Sequence, residues 1–308
     1  MLSPAAQEAT PVARSALSTP HSALRVRRRS LWSDALRRVV RNRAAVVGAA
    51  IILALLVMAV FANFLAPHPY AQQFVGGPFE KPSRALPFGT DNLGRDQLSR
   101  VIYGARISMA VGVVVQLIVL LVGVPLGALS GYAGGWLDNL IMRFTDVVYA
   151  FPDLLFVILL LAALGRSELN VFAAIAIVSW PTMARLVRSQ ILALKRRDFV
   201  DAARVAGASH WRVLTRHLLP NSTGPIIVAV TLGVPAAILT EAVLAFLGLG
   251  APPPLPSWGS LVNDSLDSIF TVPLLVVFPG LVISITMLSF VFLGDGLRDA
   301  LDPRSAGR

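Results

Sequence analysis

The chain has 308 residues, no cysteine, and a formal net charge of +10 from 27 Lys+Arg against 17 Asp+Glu. Hydrophobic residues make up 55% and charged residues 14%, with a mean hydropathy of +0.69, where a soluble domain carries about 25% charged residues. A soluble globule with a charged shell is excluded, as are disulfides, thiolate chemistry and cysteine-ligated metal; the composition is that of a polytopic membrane protein.

Residues 1 to about 30 are rich in Ser, Ala, Pro and Arg and lack periodicity. They read as a disordered basic cytoplasmic tail, whose arginines suit membrane lipid as well as simple positive-inside retention. The region is not a cleavable signal, because the apolar run that follows is longer than a signal core. A spanning helix needs about 20 mostly apolar residues, and six stretches qualify. Ala44–Leu65 is the cleanest, closing an N-terminal region over 31–65. After an extracytoplasmic loop over 66–105 comes Ile107–Leu137, which exceeds one span and should end in a turn near Gly131–Gly135. Val147–Gly165 contains Pro152 and Asp153. Leu169–Ala184 is short, but snorkelling Arg185 and Arg188 would let it run on to Leu194. Leu218–Thr240 holds three prolines, and Ile269–Gly294 holds Pro273 and Pro279. Ala242–Asn263 is apolar by count, but its Gly and Pro content makes it a helix end followed by an ordered loop. The five later spans form a core over 106–296, which includes a cytoplasmic loop over 195–220, and a tail over 297–308 closes the chain.

Lys and Arg divide 21 to 6 between the two sides. The rich side holds both termini and the Arg185–Arg216 region, so both termini are expected in the cytoplasm. No G-x-x-x-x-G-K-[ST] loop exists, since Lys81 and Lys195 are followed by Pro82 and Arg196; nucleotide binding in the Walker manner is excluded. No zinc, G-x-S-x-G or H-E-x-x-H pattern is present, so no catalytic or metal residues are assigned. Intramembrane charge is scarce: Asp146 and Asp153 on the third span and Glu241 at the end of the fifth. Arg143 and Asp146, three apart, are placed to pair. Such scarcity disfavours a stand-alone secondary carrier.

The loop between spans four and five is more elaborate than topology requires. Asp198 is placed to cap a helix over Phe199–Ala206, with Asp201 in a position like that of a capping box. Gly207 supplies a left-handed C′ residue, and Ser209 caps a second helix from His210 to about Leu218. Trp211, Leu214 and Leu218 share one face of it, and Pro220 should separate it from span five. A DNA-binding unit tethered between two spans is disfavoured, and no nucleic-acid partner is expected. A docking surface for a cytoplasmic protein is preferred over a plain connector.

Asp201-Ala202-Ala203, Gly207 and Leu219-Pro220 resemble the Glu-Ala-Ala coupling motif of binding-protein-dependent ABC importer permeases, with Asp201 for the usual Glu and His217 for the usual Ile. Phe88–Arg106, Glu241–Gly250 followed by Pro256-Ser257-Trp258-Gly259, and Gly294–Arg304 resemble segments of the C-type permease subunit of dipeptide, oligopeptide and nickel importers. The resemblance implies an all-α permease of the type I importer kind with six transmembrane helices, in the bacterial inner membrane. It implies a heterodimer with a second permease subunit, two ABC ATPase subunits or one fused ATPase, and an extracytoplasmic substrate-binding protein. No cofactor belongs to this chain; ATP and Mg would sit on the ATPases. The ATPase-coupling residues implied are Asp201, Ala202, Ala203, Gly207, Trp211, Leu219 and Pro220. Asp91, Arg95, Asp96 and Trp258 are candidates for contact with the binding protein or for fixing the outer loop. Peptide is the first substrate class, with nickel, glutathione or another small solute as the alternative. Gly123, Gly127, Gly131 and Gly135 recur every four residues, a pattern for close helix contact inside this subunit or with the partner permease.

Overall fold

The computed structural model describes residues 31–301, so the tail over 1–30 lies outside the described residues. Twelve helices follow in chain order: α1 Leu31–Arg41, α2 Arg43–Val60, α3 Ala62–Leu65, α4 Gln97–Ala133, α5 Gly135–Tyr149, α6 Asp153–Leu164, α7 Glu168–Leu194, α8 Asp198–Val205, α9 His210–Arg212, α10 Leu219–Phe246, α11 Trp258–Asp264 and α12 Leu274–Leu301. A π-helical segment, Val213–Leu218, joins α9 to α10. Among the described residues the only extended pairing is one bridge, Thr90 with Asp96. Among the described residues five helical stretches are long and apolar enough to cross a membrane, and α5 with α6 makes a sixth if the bent pair counts as one span.

The centre of the bundle is the α4–α7 pair. Gly123 lies against Met183 and the Trp180 carbonyl, Gly127 against Ala184 and Val187, and Gly131 against Arg188 and Ile191. Three glycines at a four-residue interval make one bare strip along α4, and α7 lies in it. The glycine pattern therefore serves packing within this subunit, while Gly135 opens the next helix. α7 is enclosed accordingly: Ala174, Ala176, Ala184, Val187 and Ile191 are completely covered. α2 sits at the periphery and is clasped to α12 through small residues, Gly48 beneath Ser289 and Phe292, and Gly296 against Ala45.

Several boundaries depart from the apolar pattern, each for a local reason. α4 begins ten residues before its apolar run because Asp96 caps it, accepting from the backbone N–H of Leu98 (3.3 Å) and Ser99 (3.1 Å). Its first turns carry Gln97, Ser99, Arg100 and Ser108, all buried beneath the outer loop and α11. The third span is not one straight helix: α5 and α6 meet at 86°. Proline cannot continue a helix and pushes the residue before it out of the α region, and the chain turns at Phe151-Pro152. α12 begins beyond Pro273 and runs to Leu301, so the tail stays helical further than its charge suggests. The connection after α10 contains a helix that composition hid, α11, closed by a Ser257–Ser260 capping box.

Pro220 does not separate the loop from span five. The chain is helical from His210 through Phe246. A proline inside a helix removes one N–H and crowds the preceding turn. Here that turn is widened into the π-helical segment, and the Asn221 side-chain amide donates to the His217 carbonyl (2.6 Å).

The charged residues of spans three and four are also partnered differently from their spacing. Asp146 pairs with Arg185 across α5 and α7 (2.6 Å), not with Arg143. Arg188 makes two 2.6 Å bonds to Asp138 at the start of α5, and Asp138 also accepts from Ser130. The two arginines expected to snorkel are held by carboxylates instead.

Replacing Gly127 by Ile would drive a branched side chain into the Ala184 backbone, so the solubilised protein is expected to lose stability by more than the roughly 1–3 kcal/mol of ordinary overpacking. Gly280→Ala, which meets nothing within 4 Å, should be neutral. Thermal unfolding of the two variants side by side checks both.

Candidate functional site

Two constructions lie at opposite ends of the bundle. The first is the loop between α7 and α10. α8 starts one residue earlier than the carboxylate pattern suggests: Arg197 is its N-cap, and no side chain caps it. Asp201 therefore does not close a capping box; it is exposed and pairs with Arg204 at 3.0 Å. At the other end of α8 the sequence expectation holds. Gly207 has φ +81°, its N–H donates to Arg204 O (2.9 Å), and the Ala208 N–H donates to Ala203 O (3.0 Å). These two bonds are the Schellman closure, which needs a left-handed residue at C′. Ser209 then caps the next helix through the Arg212 N–H (3.4 Å).

The loop is fixed on its inner side and open on its outer side. Val200, Val213, Leu214 and Leu218 are buried in the same cluster as the α4–α7 core. The His210 ring hydrogen-bonds the Tyr132 hydroxyl (2.8 Å), and Lys195 donates to the Tyr132 carbonyl (2.5 Å), so the end of α4 holds both ends of the loop. Trp211 leaves the face it was expected to share with Leu214 and Leu218: it is 70% exposed, and Val205 is 91% exposed. Ala202, Gly207 and Pro220 are exposed, Ala203 and Leu219 half-buried. The outward surface of this well-anchored loop is thus apolar and small-featured, with Phe199, Ala202, Val205 and Trp211 uncovered. An apolar surface rimmed by Arg204 and Arg212 on a fixed support suits a protein partner.

The second construction holds the outer loop. Asp91, 1% exposed, accepts from Arg95 Nε (2.6 Å), Arg100 Nη1 (2.5 Å) and the backbone N–H groups of Leu93 and Arg95 (both 2.9 Å). Arg100 also donates to Asp264 at the end of α11 (3.0 Å). Asp96 caps α4, accepts from Ser99 Oγ (2.5 Å) and lies 3.5 Å from His68. Trp258 is fully buried; its indole N–H donates to Val101 O (3.0 Å) and its backbone N–H to Ser108 Oγ (3.1 Å). Asp91, Arg95, Asp96 and Trp258 are all turned inward, where they pin the 66–96 loop and α11 onto α4. Glu241, 1% exposed, lies near the same end with Ser257 among its neighbours. Sequence reasoning did not foresee the Tyr132 tether, the Asp138–Arg188 pair or the Arg100–Asp264 link, whose partners lie between 50 and 164 positions apart, or 63 and 78 for the tether. Among the described residues no group of His, Asp or Glu could hold a metal ion.

Comparison with known proteins adds to this geometry. Residues 123–307 match the family described as "binding-protein-dependent transport system inner membrane component", and residues 30–82 match the "N-terminal TM domain of oligopeptide transport permease C". The chain is 44% identical over 275 residues to a dipeptide transport system permease protein of Alkalihalophilus pseudofirmus and to an oligopeptide transport system permease protein of Bacillus subtilis, covering 89% of this chain and 90% of each relative. It is 42% identical over 277 residues to a glutathione transport system permease protein of Pectobacterium atrosepticum, covering 90% of this chain and 92% of that one. Among solved structures, the inward-facing MetNI methionine ABC transporter is similar in fold, with a TM-score of 0.56 at 15% identity, over 67% of this chain and 97% of that chain.

Asp91→Asn leaves Arg95 and Arg100 buried opposite a neutral group. Breaking a buried pair costs about 3–5 kcal/mol, so the variant is expected to show a lower unfolding temperature and faster proteolysis between residues 66 and 96.

Proposed function

This chain belongs to the binding-protein-dependent transport system inner membrane component family, and from that premise we propose how it works. It is a permease subunit of an ATP-driven ABC importer for peptides in the bacterial inner membrane. With a second, related permease it would form the membrane path, each contributing half. Two ATPase subunits, or one fused ATPase, would bind on the cytoplasmic side and hold ATP and Mg. A substrate-binding protein would deliver substrate at the opposite end. The 21-to-6 division of Lys and Arg supports a cytoplasmic position for both termini and the α8–α9 loop. Dipeptide, oligopeptide and glutathione permeases all stand at 42–44% identity, which supports a short peptide as substrate without choosing among them.

The observation that carries this reading is the anchored loop with its uncovered apolar surface. Asp201, Ala202, Ala203, Gly207 and Trp211 would seat it in a groove on the ATPase; small side chains allow close approach there. Leu219 and Pro220 stand where the loop passes into α10. α9, the π-helical segment and α10 form one helical rod of 37 residues, about 55 Å long at 1.5 Å per residue. Displacement of the docked loop would therefore reach the far end of the span without crossing a flexible joint.

Co-purification from the native membrane should bring down a second permease, ATPase subunits and a binding protein; a chain that emerges alone and transports in proteoliposomes would overturn the reading. Gly207→Val tests the loop itself. Nothing lies within 4 Å of the site, so the cost is the left-handed backbone alone, about 1–2 kcal/mol. The complex should assemble, while stimulation of its ATP hydrolysis by the loaded binding protein falls. An undiminished stimulated rate would count against the loop as the coupling element.

A further inference from the structure

Most exposed surface on the spanning helices is apolar, as lipid requires: Leu53 and Val57 on α2, Leu155 and Leu159 on α6, Leu281 and Leu288 on α12. One face is different. Where α5 crosses α7, Asp146 and Arg185 form an ion pair of 2.6 Å with side chains 60% and 44% exposed. The Arg185 guanidinium lies over the Tyr149 ring, 4.2 Å from its centroid. The Tyr149 hydroxyl bonds Thr182 (2.5 Å). Thr182, Arg185 and Ser189 follow one another along one exposed face of α7. Phe144, also exposed, stacks on Trp180 beside them, with ring centroids 5.9 Å apart.

Depth makes this face informative. Arg185 lies nine residues before Leu194, the end of α7, and Thr182 twelve. At 1.5 Å per residue these positions are about 14 and 18 Å inside a helix about 40 Å long, which leaves both within the roughly 30 Å that must be apolar if lipid surrounds it. A charged pair turned to acyl chains is costly, and intramembrane charges face water-filled cavities or protein instead. The pair is also ordered from both sides, by the ring beneath Arg185 and by the Thr182 bond to that ring's hydroxyl.

We propose that Asp146, Tyr149, Thr182 and Arg185 form a polar station on the transport path, engaged by a zwitterionic substrate through its carboxylate at Arg185 and its ammonium at Asp146. This rests on the reading of the chain as an importer permease and names a binding site within it. A zwitterion suits the pair because exchange leaves neither protein charge unpartnered: each end of the substrate replaces the opposite protein group. The half-exposed pair makes the station weak, since exposed ion pairs contribute little net free energy, and a station on a path must release what it holds. The exposed aromatic rings of Phe144 and Tyr149 beside it offer an apolar wall that makes no demand on side-chain identity.

The chain has no native cysteine, so a single Ser189→Cys, one turn from Arg185, reports on this face. The experiment uses the full complex with cysteine-free partner subunits, in ATP-free proteoliposomes, and a membrane-impermeant sulfonated maleimide. Alanyl-alanine, which carries both charges, is compared with its N-acetylated, C-amidated form, which carries neither. Ser189→Cys should be labelled from the side that bears the α8–α9 loop, and Leu159→Cys on the apolar face of α6 should not. Alanyl-alanine should slow labelling several-fold while the blocked form does not. Adding Asp146→Asn and Arg185→Gln should abolish that protection. An unreactive Ser189→Cys would mean that lipid or the second permease covers the face, and would overturn the proposal. So would equal protection by the two peptides. Loss of stimulated ATP hydrolysis in the complex with native Asp146 and Arg185 would instead sink the importer reading itself.

Discussion

The bare strip on α4 is the constraint on which the other contacts depend. Helices in lipid gain nothing from burying apolar surface against one another, so close approach must come from small residues and dispersion contacts. Gly123, Gly127 and Gly131 bring the α7 backbone, at Trp180, Ala184 and Arg188, directly onto α4. That contact fixes the height of α7. The height in turn sets Arg188 beside Asp138 and Arg185 beside Asp146, and it brings Lys195, just past the end of α7, to the Tyr132 carbonyl at the end of α4. A side chain on any of the three glycines would move all these partners together. The ion pairs record the α4–α7 register more than they create it.

The ends of the bundle are solved differently from its middle. Backbone polar groups of a loop at the membrane boundary cannot be left unpaired. The 66–96 loop has no regular structure to pair them, and Asp91 takes over part of that task. It accepts from two backbone N–H groups of the 91–95 turn and from two arginines, both of which reach Asp264 at the end of α11. Trp258 joins the same set through Val101 and Ser108. The charges at this end therefore act as internal struts.

The sequence was most readable where a residue acts through its own backbone. Gly207 was legible as a left-handed terminator because a Schellman closure is local, and Ser209 as a cap for the same reason. The glycine interval was legible because a helix face has a fixed period. Apolar counting located the five long apolar helices and the region of the bent pair, but it misplaced the start of α4, since Gln97, Ser99 and Arg100 are sheltered by segments distant in the chain rather than by lipid. It joined α5 to α6 across Pro152, where a hydropathy window cannot register an 86° bend. Trp211 was placed on one face with Leu214 and Leu218 by a strict 3.6-residue count, and the wider π-helical turn beside it breaks that count. Asp146 was given its neighbour Arg143 instead of Arg185, thirty-nine positions away; short-range charge rules are blind to a partner supplied by another helix.

The widened turn also resolves what looks like a conflict in span five. Three prolines, at 220, 225 and 235, would ordinarily weaken a helix as a mechanical element, yet α10 is the helix that continues from the exposed loop. At Pro220 the strain is taken up before it reaches the span, in the Val213–Leu218 turns, whose inner side is packed by Val213, Leu214 and Leu218. Asn221 and Ser222 then return hydrogen bonds to the His217 and Leu218 carbonyls. The turn is therefore wide but not loose: its apolar side is clamped in the core, and the His217 and Leu218 carbonyls accept side-chain hydrogen bonds. Val200 of α8 is buried in the same cluster as that turn. From the loop to Ser222 the chain is thus held by packed or hydrogen-bonded contacts, and the helix runs on past Pro220 to Phe246.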